Sequence, residues 1–391
     1  MTLAVPAFAA ALADLDARGL RRRRREVRRL AHDTAEIELD GRRCLDFCSN
    51  DYLGLAAHPR VTQAFIAAAR EHGVGARASH LVSGHQGEHG ALEEELAAFT
   101  GRERALLFST GYMANLGLAT ALVGKGGLVL GDALNHASLI DAGRIARADL
   151  DWYAHGDADA LEAKLAAWPA RPALVLTDGV FSMDGDLAPL PALAAACRRH
   201  GAMLAVDDAH GIGVLGAGGG GSLEHFGLAV HEVPALVGTL GKAFGSFGAF
   251  VAGDAGLVEL LVQRARTYIY TTALPAAVAA ATRAALAVAS AESWRRARVL
   301  ALAGRFRSLA AGAGLPLASS TTPIQPVLLG AADAAVEASR RLLERGYYVA
   351  AIRPPTVPAD GARLRVALSA VHRDADLDGL VAALADCVPR P

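Results

Sequence analysis

Lysine is nearly missing from this chain. Of 39 basic residues only three are lysine, Lys125, Lys164 and Lys242, and the rest are arginine. A chain so poor in amines makes each one it keeps worth explaining. Cysteine is also scarce: Cys44, Cys48, Cys197 and Cys387 are scattered, and the one close pair has no second pair to complete a zinc site. This usage suggests a reducing, cytoplasmic compartment. Aromatic residues make up only 5%, against 41 glycines, which indicates packing of small residues rather than an aromatic binding surface. Charge of one sign is absent as well. The balance of 39 basic and 40 acidic residues gives a formal charge of −1, so no global field attracts nucleic acid or an anionic membrane, and neither is expected as a partner. The N-terminus has no basic stretch before its short apolar run, and Asp14 and Asp16 follow quickly, unlike an export signal. Two uncharged stretches, 105–124 and 308–332, are long enough for a membrane. The first carries Ser109, Thr110, Gly111 and Asn115, the second Pro316, Pro323 and Pro326, so both read as buried strand, turn and helix.

What remains is 391 residues, 52% hydrophobic and 20% charged, enough for two or three globular domains at about 150 residues each. From Leu92 onward short apolar runs alternate with alanine- and leucine-rich helical patterns, predicting an α/β fold with a mostly parallel sheet covered by helices. Strands are expected at Ala105–Phe108, Leu128–Leu130, Ala173–Thr177, Met203–Asp207 and Ala235–Thr239. Ligands of such sheets bind beyond the carboxyl ends of the strands, so the polar residues there are the first place to look for chemistry. After Pro275 a long alanine-rich helix leads to alternating segments near Gln325–Leu329, Tyr347–Ile352 and Arg363–Leu368. The expected divisions are an arm of helix and hairpin over 1–45, turning at Asp40-Gly41, a large domain over 46–270 and a small α+β domain over 271–391.

Three motifs need weighing before they mislead. Arg21 to Arg25, with Arg28 and Arg29, resemble a nucleic-acid or targeting patch, but the neutral net charge favours a solvated helix face or contacts to an anionic substrate. His85-Gln86-Gly87-Glu88-His89 matches an inverted zinc-protease signature. Gly84, Gly87 and Gly90 make a poor rigid helix, and the segment is expected just before a helix start, so a glycine-rich substrate or phosphate loop is preferred and no metal is expected. Gly211-Ile212-Gly213-Val214-Leu215-Gly216 follows a strand as a dinucleotide fingerprint does, yet nearly pure glycine continues to Gly221 where a helix must begin, which favours a mobile loop.

The lysines are more informative. Lys164 lies on an amphipathic helix and Lys125 in a glycine turn, both solvated places. Lys242 follows an apolar strand in Thr239-Leu240-Gly241-Lys242, at a carboxyl end, with glycines that let a bulky ligand approach. An amine there suits a Schiff base with pyridoxal phosphate (PLP), which also needs an acid opposite its ring nitrogen and donors for its phosphate. Asp207 is the candidate acid and His210 would sit near the ring oxygen. Ser109 to Asn115 joins strand to helix as an anion cradle, Thr239 adds a hydroxyl, and His136 begins a further helix where it could stack on the ring. Each residue alone is more often structural, a cap or a satisfied polar group; the case depends on their joint order.

Ser49-Asn50-Asp51-Tyr52-Leu53-Gly54-Leu55, Asp178-Gly179-Val180-Phe181-Ser182-Met183-Asp184-Gly185-Asp186, Asp207-Asp208-Ala209-His210-Gly211 and Thr239-Leu240-Gly241-Lys242 occur in the order of the α-oxoamine synthase family, which the chain resembles from about Leu15 to Leu384. These are fold-type-I PLP enzymes, so the resemblance implies an aspartate-aminotransferase-like large domain and an acyltransferase joining an amino acid to an acyl thioester. It implies Lys242, His136, Asp207 and His210 as catalytic residues, the lysine carrying the cofactor. Gly111, Tyr112, Ser182 and Thr239 would complete the cofactor site, helped by Thr271 or Thr272 of a partner subunit in a homodimer with shared sites. Arg353 would hold the amino-acid carboxylate, with Arg21, Asn50 and Thr356 on the substrates. The segment 351–358 resembles the family version that uses L-alanine and pimeloyl-CoA or a pimeloyl carrier protein; the rival pair is glycine and acetyl-CoA. Asp178 stands where the family commonly has glutamate, and Arg77 and His80 stand where smaller residues or a different basic placement are expected.

Overall fold

The computed structural model describes residues 8–18, 20–169 and 171–388. They form two compact units, one of residues up to Ser49 with those from Leu302 onward, the other Asn50–Ala301. These divisions differ from the expected 45/46 and 270/271. The hairpin of β2 (Glu36–Leu39) and β3 (Arg42–Asp46), with β1 (Val27–Arg29) on its outer edge, is not a separate arm: β3 pairs in parallel with the late strand at Tyr347–Tyr348. The alanine-rich helix Ala276–Ala291 belongs to the larger unit, where it packs on helices Pro59–His72 and Gly87–Thr100.

The larger unit is built on seven strands: β4 (Arg104–Phe108), β5 (Leu128–Asp132), β6 (Asp149–Tyr153), β7 (Ala173–Asp178), β8 (Met203–Asp207), β9 (Ala235–Thr239) and β10 (Ala249–Gly253). Their order is β4-β10-β9-β8-β7-β5-β6, and only β10 runs against its neighbours. Alternation along the strands sends side chains to both faces, and both are apolar because helices cover each. Leu174 and Leu176 of β7 pack under helices Gly111–Leu122 and Ala137–Ile145, while Val175 packs on the other side with Leu204 and Val206 beneath helix Leu190–His200. The polar ends of β5, β7, β8 and β9 are therefore carried on a rigid frame.

In the smaller unit β11 (Ile324–Gly330), β13 (Ala350–Ile352) and β14 (Ala362–Ala367) fall at the three alternating segments of the sequence and form an antiparallel sheet with β14 central. The strand at Tyr347–Tyr348 is β12. No helix among the described residues is long and apolar enough to cross a membrane. The stretch 105–124 that raised that question is β4 and the helix after it.

Candidate active site

At the carboxyl end of β8, Asp207 is buried with both carboxylate oxygens engaged. Oδ2 accepts from Asn115 Nδ2 at 2.6 Å and Oδ1 from the Ala209 N–H at 3.0 Å. Asn115 sits one turn into helix Gly111–Leu122, and its amide also donates to Ser138 Oγ at 2.8 Å. Ser138 in turn lies 2.7 Å from His136 Nδ1, which accepts the Ser138 backbone N–H as well. A neutral His136 so held keeps its proton on Nε2. Asp207 and His136 are thus joined through a fixed relay of amide and hydroxyl.

Lys242 is the third residue past β9, and its Nζ lies 2.9 Å from His210 Nε2. His210 Nδ1 is 2.6 Å from Tyr52 Oη, and that hydroxyl donates to Asn50 Oδ1 at 3.2 Å. With the tyrosine proton given to Asn50, His210 carries its own on Nδ1 and offers Nε2 as acceptor to the lysine amine. The four groups form one directed row of hydrogen bonds. Sequence reasoning gave Tyr52 and Asn115 no role, although both lie within motifs it singled out; the spacing of Asn115 four residues after Gly111, on the same helix face, was the usable signal.

Helix Gly111–Leu122 opens with Thr110 as its cap, the hydroxyl accepting from the Met113 N–H at 3.2 Å. The first N–H groups of a helix, here those of Gly111 and Tyr112, have no acceptor within it. Space beside Gly111 is open: a Cβ built there meets nothing within 4 Å. The Tyr112 hydroxyl bonds to Asp141, and that of Thr239 donates to the Gly248 carbonyl at 3.2 Å. Asp178, fully buried at the end of β7, accepts the His136 backbone N–H at 2.7 Å; burial, reinforced by the Asp207 charge, holds its carboxyl well above the ordinary carboxylate range. It braces the turn that carries His136. Ser182 lies in the neighbouring turn Phe181–Asp186, Thr271 is half-buried, and Thr272 is exposed with its backbone bridged to Ser79.

Arg21, Arg353 and Thr356 belong to the smaller unit, where segments more than 330 residues apart meet: Arg353 Nη2 donates to the Arg21 carbonyl at 3.4 Å and Arg22 to Thr356 Oγ1 at 3.2 Å. Arg21 itself pairs with Asp16 at 2.5 Å. Two further arginines of the run have acids, Arg25 with Asp40 and Arg28 with Glu38, but the run is not the helix face expected: Arg21 to Arg25 lie outside any helix or strand, and Arg28 and Arg29 are in β1.

Two motif readings need correction. The helix after the histidine motif begins at Gly87, so Glu88 and His89 lie inside its first turn rather than ahead of it. His80, His85 and His89 cluster with their nitrogens within 4.8 Å of one another. His89 is spent on the fold, Nδ1 accepting the Gln86 N–H at 2.9 Å and Nε2 donating to the Leu274 carbonyl at 2.7 Å, while Glu88 pairs with Arg283. The glycine run after β8 is tied rather than loose. Glu224 accepts the N–H groups of Gly218 and Gly220, and a Cβ at Gly221, where φ is +89°, would stand 1.9 Å from Asp208 Oδ2. A carboxylate of the chain itself thus fills the nest a phosphate would need.

The donor set fits PLP. A buried carboxylate is available to a ring nitrogen, a lysine amine stands at the end of a hydrogen-bonded row, and an open helix N-terminus is available to a phosphate. A mostly parallel sheet with this acid after one strand and this amine after the next defines the class, and the chain belongs to the class I and II aminotransferase family, whose model matches residues 42–384. Within that family it is 59% identical, over 98% of each chain, to a curated relative from Methylococcus capsulatus named 8-amino-7-oxononanoate synthase. A relative from Nitrosococcus oceani with the same name is also 59% identical, over 90% of this chain and 93% of its own. Among solved structures, serine palmitoyltransferase of Sphingomonas wittichii superposes with a TM-score of 0.92 at 32% identity, covering 97% of this chain and 96% of that one.

Proposed function

We propose that the protein is the acyltransferase that joins L-alanine to a pimeloyl thioester, giving 8-amino-7-oxononanoate, CO2 and free thiol, with PLP as cofactor, in biotin biosynthesis. The observation that carries the reading is the high identity over nearly the whole chain to relatives bearing that enzyme's name. The site chemistry agrees with it. A structural neighbour solved with PLP, 30% identical with a TM-score of 0.92, supports the cofactor.

PLP, when bound, supplies an electron sink for the pair left on the α-carbon when a proton or CO2 departs. Lys242 would hold the cofactor, and its Nζ, when free, would take the α-proton of L-alanine and later return one. His210 orients that amine through Nε2, and Tyr52 fixes the histidine tautomer. Asp207 keeps a proton on the ring nitrogen, and Asn115 and Ala209 fix its carboxylate. His136 would pack on the ring and Ser182 would bond the ring oxygen; Gly111, Tyr112 and Thr239 would bind phosphate, with Thr271 or Thr272 from the partner of a homodimer. Arg353 receives the amino-acid carboxylate, and Arg21, Asn50 and Thr356 serve the substrates. We place the reaction in the cytoplasm, in keeping with four free cysteines.

The test is thiol release by the PLP-loaded protein, comparing pimeloyl-CoA with L-alanine against acetyl-CoA with glycine. Release with the first pair and loss of turnover in Lys242→Ala are expected. Release chiefly with the second pair would keep the cofactor and lysine but overturn the substrates, and near-normal activity in Lys242→Ala would sink the mechanism.

A further inference from the structure

One charged group close to the site takes no part in the chemistry above. His155 follows β6, with Nδ1 2.9 Å from Asp132 Oδ1 at the end of β5 and Nε2 3.0 Å from Asp186 Oδ2 in the turn after β7. Each imidazole nitrogen faces a carboxylate oxygen. Only the imidazolium carries a proton on both nitrogens; the neutral ring would set a lone pair against one of the anions. Its hydrogen bonds to Asp132, then to Asp186, raise the histidine's pKa to about 10, so the cation persists at neutral pH.

Asp132 opens the turn that leads to His136, and Asp186 closes the turn that holds Ser182. Asp132 is fully buried; its Oδ1 also accepts the Leu134 N–H at 2.8 Å, its Oδ2 the Gly156 N–H at 2.8 Å, and its carbonyl the Asn135 N–H at 3.2 Å, directly before His136. The Asp186 carbonyl accepts the Phe181 N–H at 3.0 Å, closing the turn that holds Ser182, and the Phe181 ring stands edge-on to His155 at 4.4 Å between centroids. Asp186 Oδ1 is buried with no hydrogen-bond partner among the described residues, which leaves His155 to offset that carboxylate's charge through Oδ2.

We propose that His155 is a positioning residue, a fixed cation that clamps the turn bearing His136 to the turn bearing Ser182 and so sets the spacing of the two residues that would meet the PLP ring. The inference rests on the functional reading above. It predicts that removing the cation leaves two anions facing each other, one opening the His136 turn and one closing the Ser182 turn, and that the two turns move apart by enough to weaken cofactor binding.

The experiment is a double-mutant cycle of His155→Gln and Asp186→Asn, read by absorbance titration of the cofactor-free protein with PLP and by kcat and KM of the loaded enzyme. His155→Gln should weaken PLP binding about tenfold, shift the absorption band of the bound cofactor and lower kcat by ten- to a hundredfold, the scale of a small misplacement of reacting groups. Asp186→Asn, on a partly exposed side chain, should fold regardless and show a smaller loss. The double variant should lose no more than His155→Gln alone, because the two residues act as one contact. Unchanged PLP affinity and spectrum in both single variants, or losses that simply add, would overturn the proposal. If the unaltered protein releases no thiol from pimeloyl-CoA, the substrate reading fails while the PLP titration still decides the role of His155.

Discussion

Asp207 and Asp208 are neighbours in sequence and opposites in environment. Asp207 receives an amide and a backbone N–H, whereas Asp208 is wholly enclosed, accepts the Ser222 N–H at 2.6 Å, and is pushed up to about 7 by burial. The side chain that fixes Asp207 should be felt in cofactor binding: Asn115→Ala removes a hydrogen bond to a carboxylate, worth about 1.5–3 kcal/mol, and is expected to weaken PLP at least tenfold in an absorbance titration. Glu93 offers a cleaner test of burial. It accepts the Leu107 N–H at 3.0 Å, and desolvation raises its pKa from the ordinary 4.5 to about 7. Between those values the folded chain holds a proton that the unfolded chain has lost, so this group's contribution makes stability fall as pH rises across that window and level off above it. Glu93→Gln keeps an acceptor for Leu107 without the charge. The variant should gain stability relative to the parent at pH 8 and not at pH 4, measured by urea midpoints.

The elements that position the site were largely legible in the sequence. β8 and β9 fall where their apolar runs predicted, and β4, β5 and β7 differ by one or two residues at an end, because buried parallel strands are written as short continuous apolar runs. β6 and β10 were not singled out. β6, the edge strand, reads Asp149-Leu150-Asp151-Trp152-Tyr153 with mostly half-buried positions, and β10 follows a glycine-rich turn and runs antiparallel, outside the alternating rhythm. The lysine, the aspartate and the anion cradle could be read because each lies at the end of such a run. His155 could not: its acids are 23 and 31 residues away, and only the parallel register of β5 with β6 and β7 brings them to it. Arg77 was flagged as an unexpected residue, and the structure gives the departure a cost, since its φ of +68° is a conformation that suits glycine. The frame itself should be sensitive. Leu176→Ala on β7, at 1% exposure, is expected to cost about 2–5 kcal/mol in urea denaturation, against little for Leu328→Ala at 38% exposure.

The larger unit leaves apolar side chains such as Val82, Phe247 and Tyr270 in solvent, which suits a chain that works beside a second copy. If Thr271 and Thr272 serve the neighbouring site, two inactive proteins should rescue each other. Mixing Lys242→Ala with Thr271→Ala/Thr272→Ala and allowing subunits to exchange should restore about a quarter of the sites by random pairing, read as thiol release, whereas independent sites would restore none. Amine scarcity has a practical side at this level too. Lys164 is occupied by Asp151 and Lys242 is half-buried beside His210, but Lys125 stands exposed in the turn before β5. That turn is at the amino ends of the parallel strands, opposite the ends that bear Asp207 and Lys242. A resin or surface that couples to side-chain amines would thus grip the larger unit chiefly from behind, leaving most tethered molecules with the end that bears Asp207 and Lys242 turned toward the solution.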